Sequence, residues 1–420
     1  MLLTTLGLVL ILMGCTGGSA ADIQPIVQLA DAAPLIPSNA VNPSASTVAR
    51  GANDFAFRLS AALLEDVSYD NFVVSPYSVW MPLAALTNAT NQQYQTALLE
   101  VLGASGAVIE AVNVATSRML FDLTNAGRSA ESPIHIANAI FVDYDWPLRM
   151  DFAQTFADYY RGSAINLSFN SQNAVEAVNQ WARDSTNGLI DNVIREFNPD
   201  TVVTIANAIH FTSNWLNQFN PDATVRCTFY SPSGGQDAYF MRQSDFFMYF
   251  EDDYIQVISL PFEGVSDMMI ILPRDGDAVG FLSSMTNECF IELQEKSTRR
   301  DGSIWLPRFA FNSTHDNLAD ALIAMGVPLF DGTKKPLTDG LVYDGGLPIW
   351  LGGAVQVAMI DVDEDGATAA AVTILDLVGS GPPDETPFMM ICNTPFIFIL
   401  HSNTRDGGNQ ILFIGVVNQP

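Results

Sequence analysis

Positive charge is what this sequence has least of. Its 420 residues carry 18 Lys and Arg against 46 Asp and Glu, a formal net charge of −28 at pH 7. Lysine occurs only at Lys296, Lys334 and Lys335. A surface this acidic repels phosphate, which excludes nucleic acid as a partner, and it offers no polybasic dock for anionic lipid. It suits solubility in saline surroundings. Histidine is almost as scarce. His135, His210, His315 and His401 stand in no HExxH pair and beside no GxSxG elbow, so each reads as a strand or loop residue before a general base. GxxxxGKS/T and GxGxxG are absent as well. The acidic cluster Asp361, Asp363, Glu364 and Asp365 lacks EF-hand spacing and runs into alanines. Cysteine is limited to Cys15, Cys227, Cys289 and Cys392, with no CxxC. After Cys15 three remain, which permits one disulfide at most and fits three buried thiols. No metal, no cofactor and no enzymatic activity are expected.

What is present is apolar material. Hydrophobic residues make up 48% and aromatics 10%, with 29 Gly and 22 Pro, a composition that excludes collagen-like and wholly disordered chains. Residues 1–13 are almost continuously apolar, about two-thirds of a bilayer span, and read as an export leader. Residues 12–15 (Leu-Met-Gly-Cys) resemble a bacterial lipobox, which would make Cys15 a lipidated N-terminus. No Lys or Arg precedes the run, and Met13 is an unusual occupant of its slot. A simply cleaved secretory leader and an apolar segment buried in the fold are the alternatives. Residues 16–50, rich in Ala, Ser, Pro and Asn without periodicity, read as a flexible tether. The expected location is extracellular or at the cell surface.

From residue 51 to 420 a single α+β domain is expected. Helical periodicity marks 52–67, 79–86, 97–102, 108–123, 152–160 and 174–185. Strand-like runs cover 136–142, 201–211, 255–260, 268–272, 303–309, 355–362, 396–401 and 411–417. Strands are mixed with helices without strict alternation, which excludes a doubly wound sheet.

Several segments together resemble the serpin family. Residues 71–79 (Asn-Phe-Val-Val-Ser-Pro-Tyr-Ser-Val) are similar to the segment that opens its central helix, and 137–141 (Ala-Asn-Ala-Ile-Phe) to a strand of its main sheet. Residues 178–190 resemble the helix crossing that sheet and its following turn. Residues 206–211 (Ala-Asn-Ala-Ile-His-Phe), with Trp215 and Phe219, are close to the family's most recognisable signature. Residues 304–309 with 318–326, then 395–398 and 412–418, match its later strands in order. The resemblance implies about nine helices around three mainly antiparallel or mixed sheets, with an exposed reactive-centre loop at about 364–390.

The resemblance gives that loop its hinge: Glu364, Gly366, Ala367, Thr368, Ala369, Ala370, Ala371, Val372 and Thr373. Physics supports it independently. A loop that later becomes a central strand needs a mobile pivot, which Gly366 supplies. It needs small side chains that slip between packed strands and no proline, and none occurs from Gly366 to Gly381. Alternate residues Ala367, Ala369, Ala371, Thr373, Leu375 and Leu377 form an uncharged set, while Asp376 falls on the opposite face. An alanine helix is the competing reading. The family prefers Thr or Ser at 367 and Glu at 368. Gln356 stands where many members have histidine beneath the sheet's opening point, with Ser75, Ser78 and Asn207 as the implied shutter partners. Trp215 marks the implied breach.

The implied function is suicide inhibition of a serine, or alternatively a cysteine, endopeptidase. The cleaved loop would insert into the main sheet and trap the acyl-enzyme, from a metastable native state. Sixteen residues after Glu364 the count reaches Ser380, so the reactive bond is Ser380–Gly381. The downstream Pro-Pro-Asp run favours Gly379–Ser380 instead. No Arg or Lys lies nearby, so the partner expected is an elastase- or subtilisin-like enzyme with a small or apolar pocket. No basic helix appears between residues 108 and 137, so no glycosaminoglycan partner is expected. A monomer is expected, membrane-tethered if Cys15 carries lipid. A non-inhibitory binding or chaperone-like member of the family is the alternative, and a hydrolase with an unrecognised site is the third reading.

Overall fold

The computed structural model describes residues 2–14, 27–30, 43–65, 70–125, 134–185, 188, 194–197, 200–264, 266–337, 340–343, 347–365, 386–402 and 409–420. Among these are nine α-helices. They are α1 (Pro43–Leu64), α2 (Pro76–Thr87), α3 (Gln92–Val101), α4 (Ile109–Asn125), α5 (Met150–Tyr160), α6 (Gln172–Ser185), α7 (Ala278–Ser284), α8 (Asn287–Lys296) and α9 (Leu318–Ala324). The strands begin with β1 (Leu2–Gly14), β2 (Val27–Ala30), β3 (Phe72–Val74), β4 (Ile134–Asp143), β5 (Gly162–Leu167) and β6 (Thr201–Ser213). Next come β7 (Val225–Ser231), β8 (Gly234–Glu251), β9 (Ile255–Pro261), β10 (Ser266–Pro273) and β11 (Thr298–Pro307). Last are β12 (Phe309–His315), β13 (Ile349–Val362), β14 (Phe388–Ile391), β15 (Phe396–Ser402) and β16 (Ile411–Val417).

One seven-stranded sheet has the order β12-β13-β1-β6-β4-β5-β2. The remaining strands run β14-β11-β8-β9-β10-β15-β16-β3, with β7 on β8. The 18-residue β8 belongs to two layers, because its first half pairs with β7 and its end with β9. Counted by layer there are three sheets. Pairing is mostly antiparallel, with β4/β5 and β11/β14 parallel, so the expected mixed α+β layout holds.

Helix α2 is the hub. It opens with proline at its first position, where no amide donor is needed. All twelve of its residues are buried, as expected for a helix apolar on every side. Trp80 anchors it by donating from Nε1 to the Leu102 carbonyl at 3.0 Å. Both β15 and β16 are buried at every position, so this end of the molecule is packed on both faces.

Three boundaries differ from the sequence reading. Helix α1 starts at Pro43 and buries Val48 and Ala49, so the last residues assigned to the tether are part of the fold. The run expected at 303–309 divides after Pro307 into β11 and β12. The third concerns the apolar start of the chain. The backbone of Leu2–Gly14 forms β1, antiparallel to both β13 and β6. Its twelve paired positions run from Leu3 opposite Asp361 to Gly14 opposite Ile349 on one side.

Candidate functional site at the sheet opening

The site lies where β13 leaves the sheet. Loop residues 366–385 fall outside the described residues, among them Gly366 to Thr373 of the hinge and both candidate reactive bonds, Ser380–Gly381 and Gly379–Ser380. Cys15 falls outside them too. What the structure places are the two anchorages of that loop and the sheet beneath it.

At the departing end Glu364 is only 3% exposed. Its carboxylate accepts from Arg308, with Nε 2.6 Å from one oxygen and an Nη 2.7 Å from the other. Thr224 donates its hydroxyl to the same carboxylate. Burial pushes the Glu364 carboxyl up, but the hydrogen bonds from Arg308 and Thr224 outweigh it and the net shift is downward. Backbone contacts extend the clamp. Trp215 donates from Nε1 to the Asp363 carbonyl at 2.9 Å, the Phe219 amide to the Glu364 carbonyl at 3.3 Å, and Gln218 to the Asp365 carbonyl at 3.0 Å. Trp215 is held by stacking on Phe262, with ring centres 4.3 Å apart. Trp215, which the resemblance assigns to the breach, thus bonds to the residue just before Glu364. Arg308 and Thr224 were not singled out in the sequence. They are 56 and 140 residues from Glu364, and no local pattern joins them.

At the returning end Phe388 stacks on Tyr249, with ring centres 3.7 Å apart and planes within 5°. Gly302, opposite Phe388 in β11, leaves room for that ring, since a Cβ there would come within 2.2 Å of it. Burial pushes the Tyr249 phenol up to about 12, and it stays neutral while Gln256 donates to it at 2.6 Å.

Beneath the sheet, Gln356 of β13 makes three bonds to the start of α2. The Ser75 amide donates to its Oε1 at 3.1 Å, and its Nε2 donates to the Ser75 carbonyl at 2.9 Å and to Ser78 Oγ at 3.1 Å. Gln356 thus joins Ser75 and Ser78. Asn207 is not brought into this group. It donates to Asn138 at 2.7 Å, and Asn138 donates to the Tyr160 carbonyl at 2.6 Å. The reason is topological: β1 lies between β6 and β13, with Leu8 opposite Asn207 on one side and Gln356 on the other. His315 adds a contact the sequence reading missed, a 2.8 Å hydrogen bond to the Val73 carbonyl beside this cluster.

Cys227, Cys289 and Cys392 are free thiols; Cys392 is buried, which pushes its thiol far up and makes it a poor nucleophile. No cluster of three metal-ligating side chains occurs among the described residues. None of their helices is long and apolar enough to cross a membrane.

Comparison with known proteins converges on one family. The family model described as "Serpin (serine protease inhibitor)" matches residues 50–420. An uncharacterized serpin-like protein of Thermococcus kodakarensis is 30% identical over 293 residues, 67% of this chain and 66% of that one. The plasma serine protease inhibitor of Bos taurus is 25% identical over 387 residues, covering 90% of this chain and 93% of its own. Among solved structures, the native state of the thermophilic serpin tengpin superposes with a TM-score of 0.77 at 23% identity, over 94% of this chain and all of that one.

Proposed function

This chain belongs to the serpin family, and from that premise we propose that it is a suicide-type inhibitor of a serine endopeptidase with a small or apolar pocket. One observation carries the reading. Strands β6 and β13 are each antiparallel to the strand between them, so the place they flank accepts a strand running opposite to β13. The loop begins where β13 ends, and folding it back at residues 363–366 would send it in that same direction. The twelve positions paired along β13 correspond to about 40 Å of strand at roughly 3.3 Å per residue.

The chemistry asked of the protein is limited. The protease's serine attacks the loop carbonyl and expels the new amine, forming an acyl bond. Once the loop's peptide bond is cut, with the acyl ester to the enzyme's serine intact, the upstream half of the loop is free to enter the sheet with the enzyme attached. Small residues from Ala367 to Ala371 enter first, where overfilling would cost about 1–3 kcal/mol per site. The Glu364 clamp keeps the uncut loop at the entrance. The native fold is then a kinetically held state above its cleaved form.

On the same reading the cut falls at Ser380–Gly381, with Gly379–Ser380 as the neighbouring register. The mature chain begins at a lipid-bearing Cys15 and acts outside the cell as a monomer on a tether.

Incubation with subtilisin or pancreatic elastase tests the main claim. An SDS-resistant complex is expected, with a released peptide whose mass locates the cut within residues 377–381. Nicking the loop should also raise the unfolding temperature. Turnover without complex and without gain in heat resistance would turn the reading toward a non-inhibitory member of the family. Intact-mass analysis of membrane-extracted protein tests Cys15, and a soluble chain starting elsewhere would refute lipidation.

A further inference from the structure

The place between β6 and β13 holds one strand, and two segments of this chain suit it. The first is Leu2–Gly14, whose backbone pairs there on both sides. The second is the loop that follows Glu364. Strand β1 runs antiparallel to β13, as the loop would if folded back, and each sequence supplies an uninterrupted stretch without proline, 13 residues in the strand and the same number from Gly366 to Val378. A strand seated there satisfies the amides and carbonyls that the two flanking edges turn toward each other, so the place favours being filled. It cannot be filled twice.

The position of the boundary adds a second observation. Gly14 stands opposite Ile349, the first residue of β13, and the next peptide bond is the one a lipobox would lose. Hydrolysis of the Gly14–Cys15 peptide bond adds water across it, leaving a carboxylate on Gly14 and an amine on Cys15. That cut detaches the whole strand and nothing of the domain. Reach is no obstacle, because the stretch between Gly14 and Val27 extends up to about 40 Å at roughly 3.3 Å per residue, more than the four strand spacings of about 4.8 Å that separate β1 from β2.

We propose that the apolar leader is a place-holder strand: while attached it occupies the seat of the reactive loop, and its removal arms the inhibitor. This rests on the inhibitory reading above and adds its control. A leader-bearing chain resembles the already inserted state, so a protease can cut its loop but gains no trap. Inhibition would then begin only after export and processing.

The experiment compares two full-length chains, both carrying Cys15→Ser to keep the leader on, one of them also Leu8→Pro and Leu10→Pro. Proline lacks the amide that a central strand must donate, so the second chain cannot seat its leader. Amide exchange in β6 and β13 should be at least tenfold slower in the first chain. Its SDS-resistant complex with subtilisin should form at least tenfold more slowly. Equal exchange in the two chains overturns the inference, whatever the rates. Unequal exchange with equal rates removes its regulatory half. Unequal exchange with no complex from either chain leaves the seat standing and overturns the inhibitory reading instead.

Discussion

The two ends of this fold are built on different terms. In the pair β15/β16 every residue is buried, and Phe398 packs between Phe309 and the bare backbone of Gly415, where a Cβ would come within 2.2 Å of its ring. Nothing can enter there without demolishing the core. Along β13 buried and half-exposed positions alternate, and the strand is held from below by the polar bonds of Gln356. Such contacts can be exchanged one for another at small net cost. One sheet is sealed by its own core; the other holds β1 between β6 and β13.

The sharpest way to break that contrast is to spoil the entering strand. Ala371→Glu, or Ala369→Pro, should turn the inhibitor into a substrate, raising the stoichiometry of inhibition at least tenfold with the loop still cleaved. Complex formation at parental stoichiometry would refute the insertion reading. The closed sheet should respond in the opposite sense. Phe398→Ala should cost about 3–5 kcal/mol in denaturant unfolding, while the surviving folded molecules keep the parental stoichiometry. Gln356→Ala belongs between the two. It strands the amide and carbonyl of Ser75 and should cost about 1–3 kcal/mol, with faster heat inactivation than an equally destabilising change in β16.

A smaller effect is expected at the hinge. Glu364 has its carboxyl held below the ordinary range, so its contribution is complete above the unfolded value of about 4.3. It fades as pH falls through the lower folded value. Loop nicking should therefore accelerate only at acid pH, and Glu364→Gln should give the fast rate at neutral pH. A flat profile in the parent would show that the clamp does not hold the loop. The smallest change is Asp237→Asn. Its pairing with Arg226 at 2.9 Å is exposed on both sides, and its loss should cost under about 0.5 kcal/mol and leave inhibition unaltered.

These contrasts were unevenly legible in the sequence. Strand β16 is bounded as the apolar run indicated, because seven buried residues stand between Gln410 and Asn418. Strand β8 escaped notice because Tyr239, Phe246 and Met248 face outward among its polar residues, which blurs the period of two. Arg308 was read as the inside of a strand. Its amide instead donates to Tyr239 at 2.8 Å and its side chain to Glu364, and that break frees it for the hinge. Gln356 with Ser75 was legible only through resemblance, since 281 residues separate them. Asn207 was placed with them on the same grounds, and the strand between β6 and β13 sets it apart.

Trp215 gives the molecule an optical gauge of its own. Its indole lies flat on Phe262 and its N–H is tied to the carbonyl of Asp363, the first residue beyond β13. Any reversal of the chain at that point must break this bond and change the polarity around the ring. Tryptophan emission should then shift in step with loop insertion, without an attached dye, and Trp215→Phe should abolish the shift while the other five tryptophans remain. Stopped-flow fluorescence would time the conformational step separately from acylation, so the race between trapping and escape could be followed within a single turnover.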